Sequence, residues 1–203
     1  MPAGPIRLTI SAAALSLLLA GTAGCVRIGE KPPERLLGIA TEARVNPGIV
    51  QSGTPQSALF IDPPAAPRAL GTQRIAVRVD PTSYAYVQKA LWVDTPAHQF
   101  RSLLAETISA RTSRLVLDPG QYPAQPTNVL HGDLTEFSID AAQHRAVVTF
   151  DASLVAADGQ TVRRQRFSAT APLGKIDADT VAPAISKAAN EVAAAVADWV
   201  AKP

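Results

Sequence analysis

Cysteine occurs once in this chain of 203 residues, at position 25. A lone cysteine excludes an internal disulfide, so packing has to hold the fold together. Aromatic residues make up only 5% of the sequence, which leaves most of the core to aliphatic side chains and alanine. The three histidines, His98, His131 and His144, are far apart and lack metal-ligand spacing, so no metal site is expected. No phosphate-binding glycine loop, nucleophile elbow or zinc-protease helix motif occurs. Asp133 and Glu136 are spaced like many ordinary strand-surface carboxylates. No catalytic residue or cofactor is therefore expected, and the chain does not read as an enzyme. Neither sign of charge dominates: 19 Lys+Arg face 17 Asp+Glu, for a formal net charge of +2. A nucleic-acid binder would need a strong basic excess.

What the sequence does have begins at its start. Arg7 precedes an apolar or small run, Leu8 to Ala20, broken only by Thr9, Ser11 and Ser16, with small residues from Gly21 to Gly24. That order is a secretory signal, and the core is too short to span a bilayer as a helix. Ordinary cleavage after Ala23 would release a soluble protein. The favoured alternative rests on Ala23-Gly24-Cys25, which resembles the end of a bacterial lipobox although Thr22 stands where a large aliphatic is usual. Cys25 then takes a diacylglyceryl group, and two or more acyl chains give stable membrane attachment. Val26 follows, rather than the Asp that retains many such proteins at the inner membrane. This favours the periplasmic face of the outer membrane.

The expected organisation is a signal peptide at 1–24, an anchor and short tether at 25–35, and one domain at 36–203. Fully extended, the eleven tether residues reach at most about 36–40 Å. Leu36 to Ala40 reads as a short strand, and Arg44 to Gln56 as a loop punctuated by Asn-Pro-Gly and Gly-Thr-Pro. Ser57 to Asp62 reads as a second strand. In Gln73 to Asp80, Ile75, Val77 and Val79 alternate with Arg74, Ala76 and Arg78, the period of a half-buried strand. Ser83 to Val93 holds the densest aromatic group, Tyr84, Tyr86 and Trp92.

Asp94 or Thr95 can cap a helix with Pro96 in its first turn, and Phe100, Leu103, Leu104, Thr107 and Ile108 form one apolar face. Arg114 to Asp118 reads as a strand, and so does Val129 to Ile139, with imperfect alternation. Ala146, Val148, Phe150, Ala152 and Leu154 share one strand face. Asp158-Gly159 turns the chain into an antiparallel return. Asp179 to about Ala201 reads as an alanine-rich helix carrying Ile185, Val192, Val196 and Trp199. The fold class is α+β: a mixed, largely antiparallel sheet with both amphipathic helices on one face. Arg163 to Arg166, "RRQR", reads first as a solvated strand face. Contact with anionic lipid head groups or an acidic partner is its alternative.

Laid out this way, the sequence resembles the ABC-type transport auxiliary lipoproteins, the PqiC-like group associated with MCE-type lipid transport. The strand "IAVRVD" leads through "YAYVQKALWVDTP" directly into "FRSLLAETISAR". The matching positions are Arg78, Tyr84, Trp92, Asp94 and Pro96, with Leu103 and Leu104 in the helix. Phe137, the hairpin and the last helix fit as well, so the likeness covers roughly Leu36 to Ala201. It implies a non-catalytic docking component whose partners are an MCE-domain protein, an ABC permease and an ATPase. Arg78, Tyr84, Tyr86 and Trp92 are then the candidate partner-binding residues, with no cofactor, and with homo-oligomerisation left open. A rival reading keeps the same anchor and fold but assigns them to assembly or activation of another envelope machine, a cell-wall synthase or a secretion channel. A lipid carrier in its own right would need an apolar cavity of several hundred Å³.

Overall fold

A computed structural model describes residues 35–202 except 55, 119 and 121–126. The signal segment, Cys25 and residues 25–34 of the tether lie outside the described residues. Eight strands form one sheet, and two helices lie on one of its faces. The strands are β1 (Arg35–Leu37), β2 (Leu59–Ile61), β3 (Arg74–Asp80), β4 (Ser83–Trp92), β5 (Val116–Leu117), β6 (Val129–Asp140), β7 (Arg145–Val155) and β8 (Val162–Pro172). The helices are α1 (Pro96–Thr112) and α2 (Val181–Val200).

The long antiparallel ladders β6–β7 and β7–β8, with the β3–β4 hairpin, carry most of the pairing. Short parallel ladders fork the sheet along the other edge of β6. β3 joins it at Ile139 and Asp140, and β2 joins it at Val129 and Leu130. β4 and β1 extend the first branch, and β5 extends the second. The mixed, largely antiparallel α+β sheet expected from the pattern is what forms.

The apolar face of α1 forms as its spacing requires, with Phe100, Leu103, Leu104, Thr107 and Ile108 all buried. Thr95 occupies the N-cap position and Ser113 closes the helix in the left-handed region at φ 55°. Phe100 meets Phe150 and Phe137 edge-on at ring-centroid distances of 5.3 and 6.4 Å, and Trp92 meets Phe137 at 5.8 Å. At the other side of the same face, Phe167 meets Trp199 of α2 at 5.7 Å. Ahead of α2, Asp177 accepts from the amides of Asp179 and Thr180, both at 3.1 Å, so it organises the turn while Thr180 holds the N-cap position.

An extended strap, residues 39–45, is fastened to both helices by side chains. Ile39 N donates to Gln99 Oε1 at 3.0 Å and Val45 N donates to Glu106 Oε1 at 2.8 Å, both on α1. Ala40 N donates to Ser186 Oγ at 3.1 Å and Glu42 N donates to Asn190 Oδ1 at 3.0 Å, both on α2. Asn190 Nδ2 returns a bond to Ala40 O at 2.7 Å. These helix side chains satisfy strap amides that no neighbouring strand pairs. The order of contacts shows that α1 and α2 run side by side in the same direction, and Arg111–Asp198 closes the pair near their last turns.

One expectation about side-chain direction fails and one expected irregularity finds its cause, both at register shifts in the sheet. Val79 is 49% exposed although Ile75 and Val77 are buried. β3 meets β6 only through Val77 and Arg78, and its pairing with β4 shifts between Arg78 and Asp80. Val79 therefore runs past the region that the helices cover. The imperfect alternation in β6 has a similar origin. Leu134 pairs with Phe150 but Glu136 pairs with Thr149, a shift of one residue. An odd shift flips the faces, so Leu130 and Leu134 share the core side with Phe137 and Ile139.

Candidate partner-docking surface

Register fixes which residues share the helix-free face of the sheet. On the β3–β4 hairpin, Arg78 lies opposite Tyr84 and Ala76 opposite Tyr86. Tyr84 is 45% exposed, and the Arg74 guanidinium stacks 4.5 Å from the centroid of the Tyr86 ring. Arg78, Tyr84 and Tyr86 thus come together as one polar-aromatic patch.

Trp92 does not join them. Pairing along β4 jumps between Tyr86, opposite Ala76, and Leu91, opposite Arg74. Three extra residues, with Lys89 at φ 61°, reverse the face of everything beyond. Trp92 is 0% exposed and packs in the core. Its ring presents no surface to a partner, and it leaves the docking group for that reason.

Arg78 is the hub of a charged network. Its Nη1 donates to Glu136 Oε1 and its Nη2 to Asp140 Oδ2, both at 2.8 Å. Thr149 Oγ1 donates to Glu136 Oε2 at 3.0 Å and lies 2.9 Å from Ser168 Oγ. The hydrogen bond to Asp140 raises the Arg78 pKa further above its ordinary value. Burial opposes the charge on Asp140, but bonds from Arg78 and from the Gln143 amide outweigh it and hold that carboxyl below the usual range.

A depressed carboxylate adds stability above its unfolded pKa, and that stability is lost as pH falls through the folded value. The protein should therefore lose stability below about pH 4. Arg78→Met should cost ~1–2 kcal/mol near neutral pH, since it removes the cation that two partly buried carboxylates share. It should also flatten the acid limb. Urea melts between pH 2.5 and 7 measure both. An unchanged acid limb in the variant would assign that limb to other carboxylates.

The outer edge of β4 borders this patch. β1 pairs only with Ala90 to Trp92, so the edge from Ser83 to Gln88 has no strand partner among the described residues. A groove of about 620 Å³ runs between it and the turn before α2, lined by Val87, Ile176, Asp177 and Asp179 among others. Arg35, the first described residue, lies in its wall and pairs with Asp179. A second groove, about 530 Å³, is lined by Arg44, Asp94, His98 and Glu106. Both are open and charged, which suits peptide or solvent better than acyl chains.

The histidines lie apart in the fold. His98 faces Asp94 at 3.3 Å, His131 meets Asp62 at 2.7 Å, and His144 Nδ1 lies 3.1 Å from Gly174 O. Among the described residues no group of three His, Cys, Asp or Glu side chains converges as metal donors. No helix among them is long and apolar enough to cross a membrane.

Residues 42–197 match the family model of the ABC-type transport auxiliary lipoprotein component. The chain belongs to that family. Its members are auxiliary components of ABC-type transport systems. Among solved structures, protein XCC0632 from Xanthomonas campestris, assigned to DUF330, is similar with a TM-score of 0.66 and 21% identity. That match covers 82% of this chain and 94% of the other. A second structure, of an uncharacterized protein, matches with a TM-score of 0.62 and 17% identity, over 71% of this chain and 92% of that one. At these identities the likeness shows a shared fold alone. No curated protein matches the chain.

Proposed function

We propose that this auxiliary lipoprotein is lipid-anchored through Cys25 at the periplasmic face of the outer membrane. There it serves as a non-catalytic docking component of an MCE-linked lipid transport system. The family match across residues 42–197 carries the transport reading. Mature residues 25–35 form the tether and residues 36–203 the docking domain. ATP hydrolysis and substrate movement belong to the partner ATPase, permease and MCE-domain protein. The polar-aromatic patch of Arg78, Tyr84 and Tyr86 is the docking surface in this reading. Exposed tyrosines contribute contact area at low entropic cost.

In-cell crosslinking of a C-terminally tagged chain, followed by mild-detergent purification and mass spectrometry, tests the partner assignment. Recovery of an MCE-domain protein supports it. Recovery of a cell-wall synthase or secretion channel in its place overturns it. Membrane fractionation of Cys25→Ser tests the anchor separately. The wild type should sediment with outer membrane and the variant should move to the soluble periplasmic fraction. A variant that stays membrane-bound would remove Cys25 as the attachment point.

A further inference from the structure

β8 is the free edge at the opposite side of the sheet, paired with β7 over its whole length and with no other strand among the described residues. Unpaired strand edges are templates for another chain, and proteins guard them with charge. Here the guard is uneven. Arg163, Arg164 and Arg166 occupy the first half, while Phe167 to Ala171 is uncharged and mostly small. A guard of one sign repels basic strands and attracts acidic ones, so it makes the edge selective.

The surroundings strengthen that sign. Arg163 Nη2 donates to Lys202 O at 2.9 Å, and its guanidinium stacks 5.2 Å from the Trp199 ring centroid. Arg114 is close enough for Arg163 to oppose its charge, and Arg114 Nε donates to Ser57 O at 3.2 Å. Arg111 adds a further cation, paired with Asp198, and Arg166 pairs with Asp151. Six cations, counting Lys202, lie along β8 and the adjoining ends of α1 and α2, with Asp133, Glu136, Asp151, Asp158 and Asp198 as the neighbouring carboxylates.

We propose that the β8 edge receives an extended acidic segment of a partner protein, added as a ninth strand with its carboxylates opposite Arg164 and Arg166. Register places these two arginines on the helix-free face, opposite Ser153 and Asp151 of β7. Backbone bonds along the uncharged half supply pairing, and the arginines set direction and selectivity. Geometry favours a protein over the anchoring membrane. Along β8 the open edge offers backbone donors and acceptors that an extended peptide satisfies and a lipid headgroup layer does not. This surface is separate from the hairpin patch and does not depend on which envelope machine the chain serves.

The test replaces Gln165, which is exposed between the two arginines, with photoreactive p-benzoylphenylalanine in the full chain in its native host. Irradiated adducts are mapped by mass spectrometry to the crosslinked peptide. The expected adduct is a partner peptide with two or more Asp or Glu at alternate positions. It should fall about tenfold in Arg164→Glu/Arg166→Glu. Arg164→Glu alone leaves the Arg166–Asp151 pair intact and should weaken the adduct with an unchanged melting temperature, which separates docking from folding. A phospholipid adduct, a second copy of this chain, a peptide without acidic residues, an adduct indifferent to both variants, or no adduct would each overturn the proposal.

Discussion

Trp92→Ala should lower the unfolding free energy by about 3–5 kcal/mol, the cost of deleting a buried indole and leaving a cavity. For a domain of this size that is roughly 10–15 °C in melting temperature. The indole is fully buried and edge-on to Phe137, which in turn meets Phe100, so the void would open between β4, β6 and α1. Trp92 Nε1 is buried without a hydrogen-bond partner among the described residues. An orphaned donor has a desolvation cost, so Trp92→Phe, which removes it and keeps an aromatic ring, should cost less than half as much. Tyr84→Ala is the contrast. Its side chain is half-exposed, and its removal should change stability by no more than about 0.5 kcal/mol while weakening partner capture. Thermal melts of the three variants, with crosslinking yield for Tyr84→Ala, check the set. A stable Trp92→Ala protein with lost partner capture would restore Trp92 to the docking surface.

Gly132→Val should be nearly as damaging, for the opposite reason. Gly132 lies in β6 opposite Ala152, and the edge of the Phe150 ring fills the space where a side chain at this position would begin. A Cβ at this position would overlap Phe150 Cε2 and Cζ and come within 2.5 Å of Asp151 O. The ring has nowhere to go, because Phe100 of α1 meets it edge-on at 5.3 Å. Overpacking of this kind costs about 3 kcal/mol, and relief would require α1 to move off the sheet. Gly132→Ala should already show most of the loss. Denaturant midpoints at constant slope measure it. A Gly132→Ala midpoint equal to wild type would mean that the Phe150 ring relaxes freely.

Much of the fold was legible because its signals are local. The α1 stripe, the alternation of β7 and the Asp158-Gly159 turn each follow from spacing within a dozen residues, where side-chain period and turn chemistry act. Both helices landed on one sheet face because each has one apolar stripe and the sheet has one continuous apolar side. α2 starts two residues later than expected, at Val181, since the Asp177 turn absorbs the residues before it.

The candidate site was legible only in part. Nothing near Tyr84, Tyr86 and Trp92 announces that three extra residues separate their registers. All three fall at even positions, and simple alternation would place them together. The pairing of Glu136 and Asp140 with Arg78, and the strap held by Gln99, Glu106, Ser186 and Asn190, join residues 58 to 150 apart in the chain, beyond any periodicity.

The sequence by itself determined the class of the fold, the core face of each helix and of β7, and the family, because these rest on the order and spacing of side chains along the chain. Only the tertiary structure decided which aromatics face out, which strand edges stay open and which charges meet. Bulges reset the parity of a strand, and salt bridges form between residues that only folding brings together.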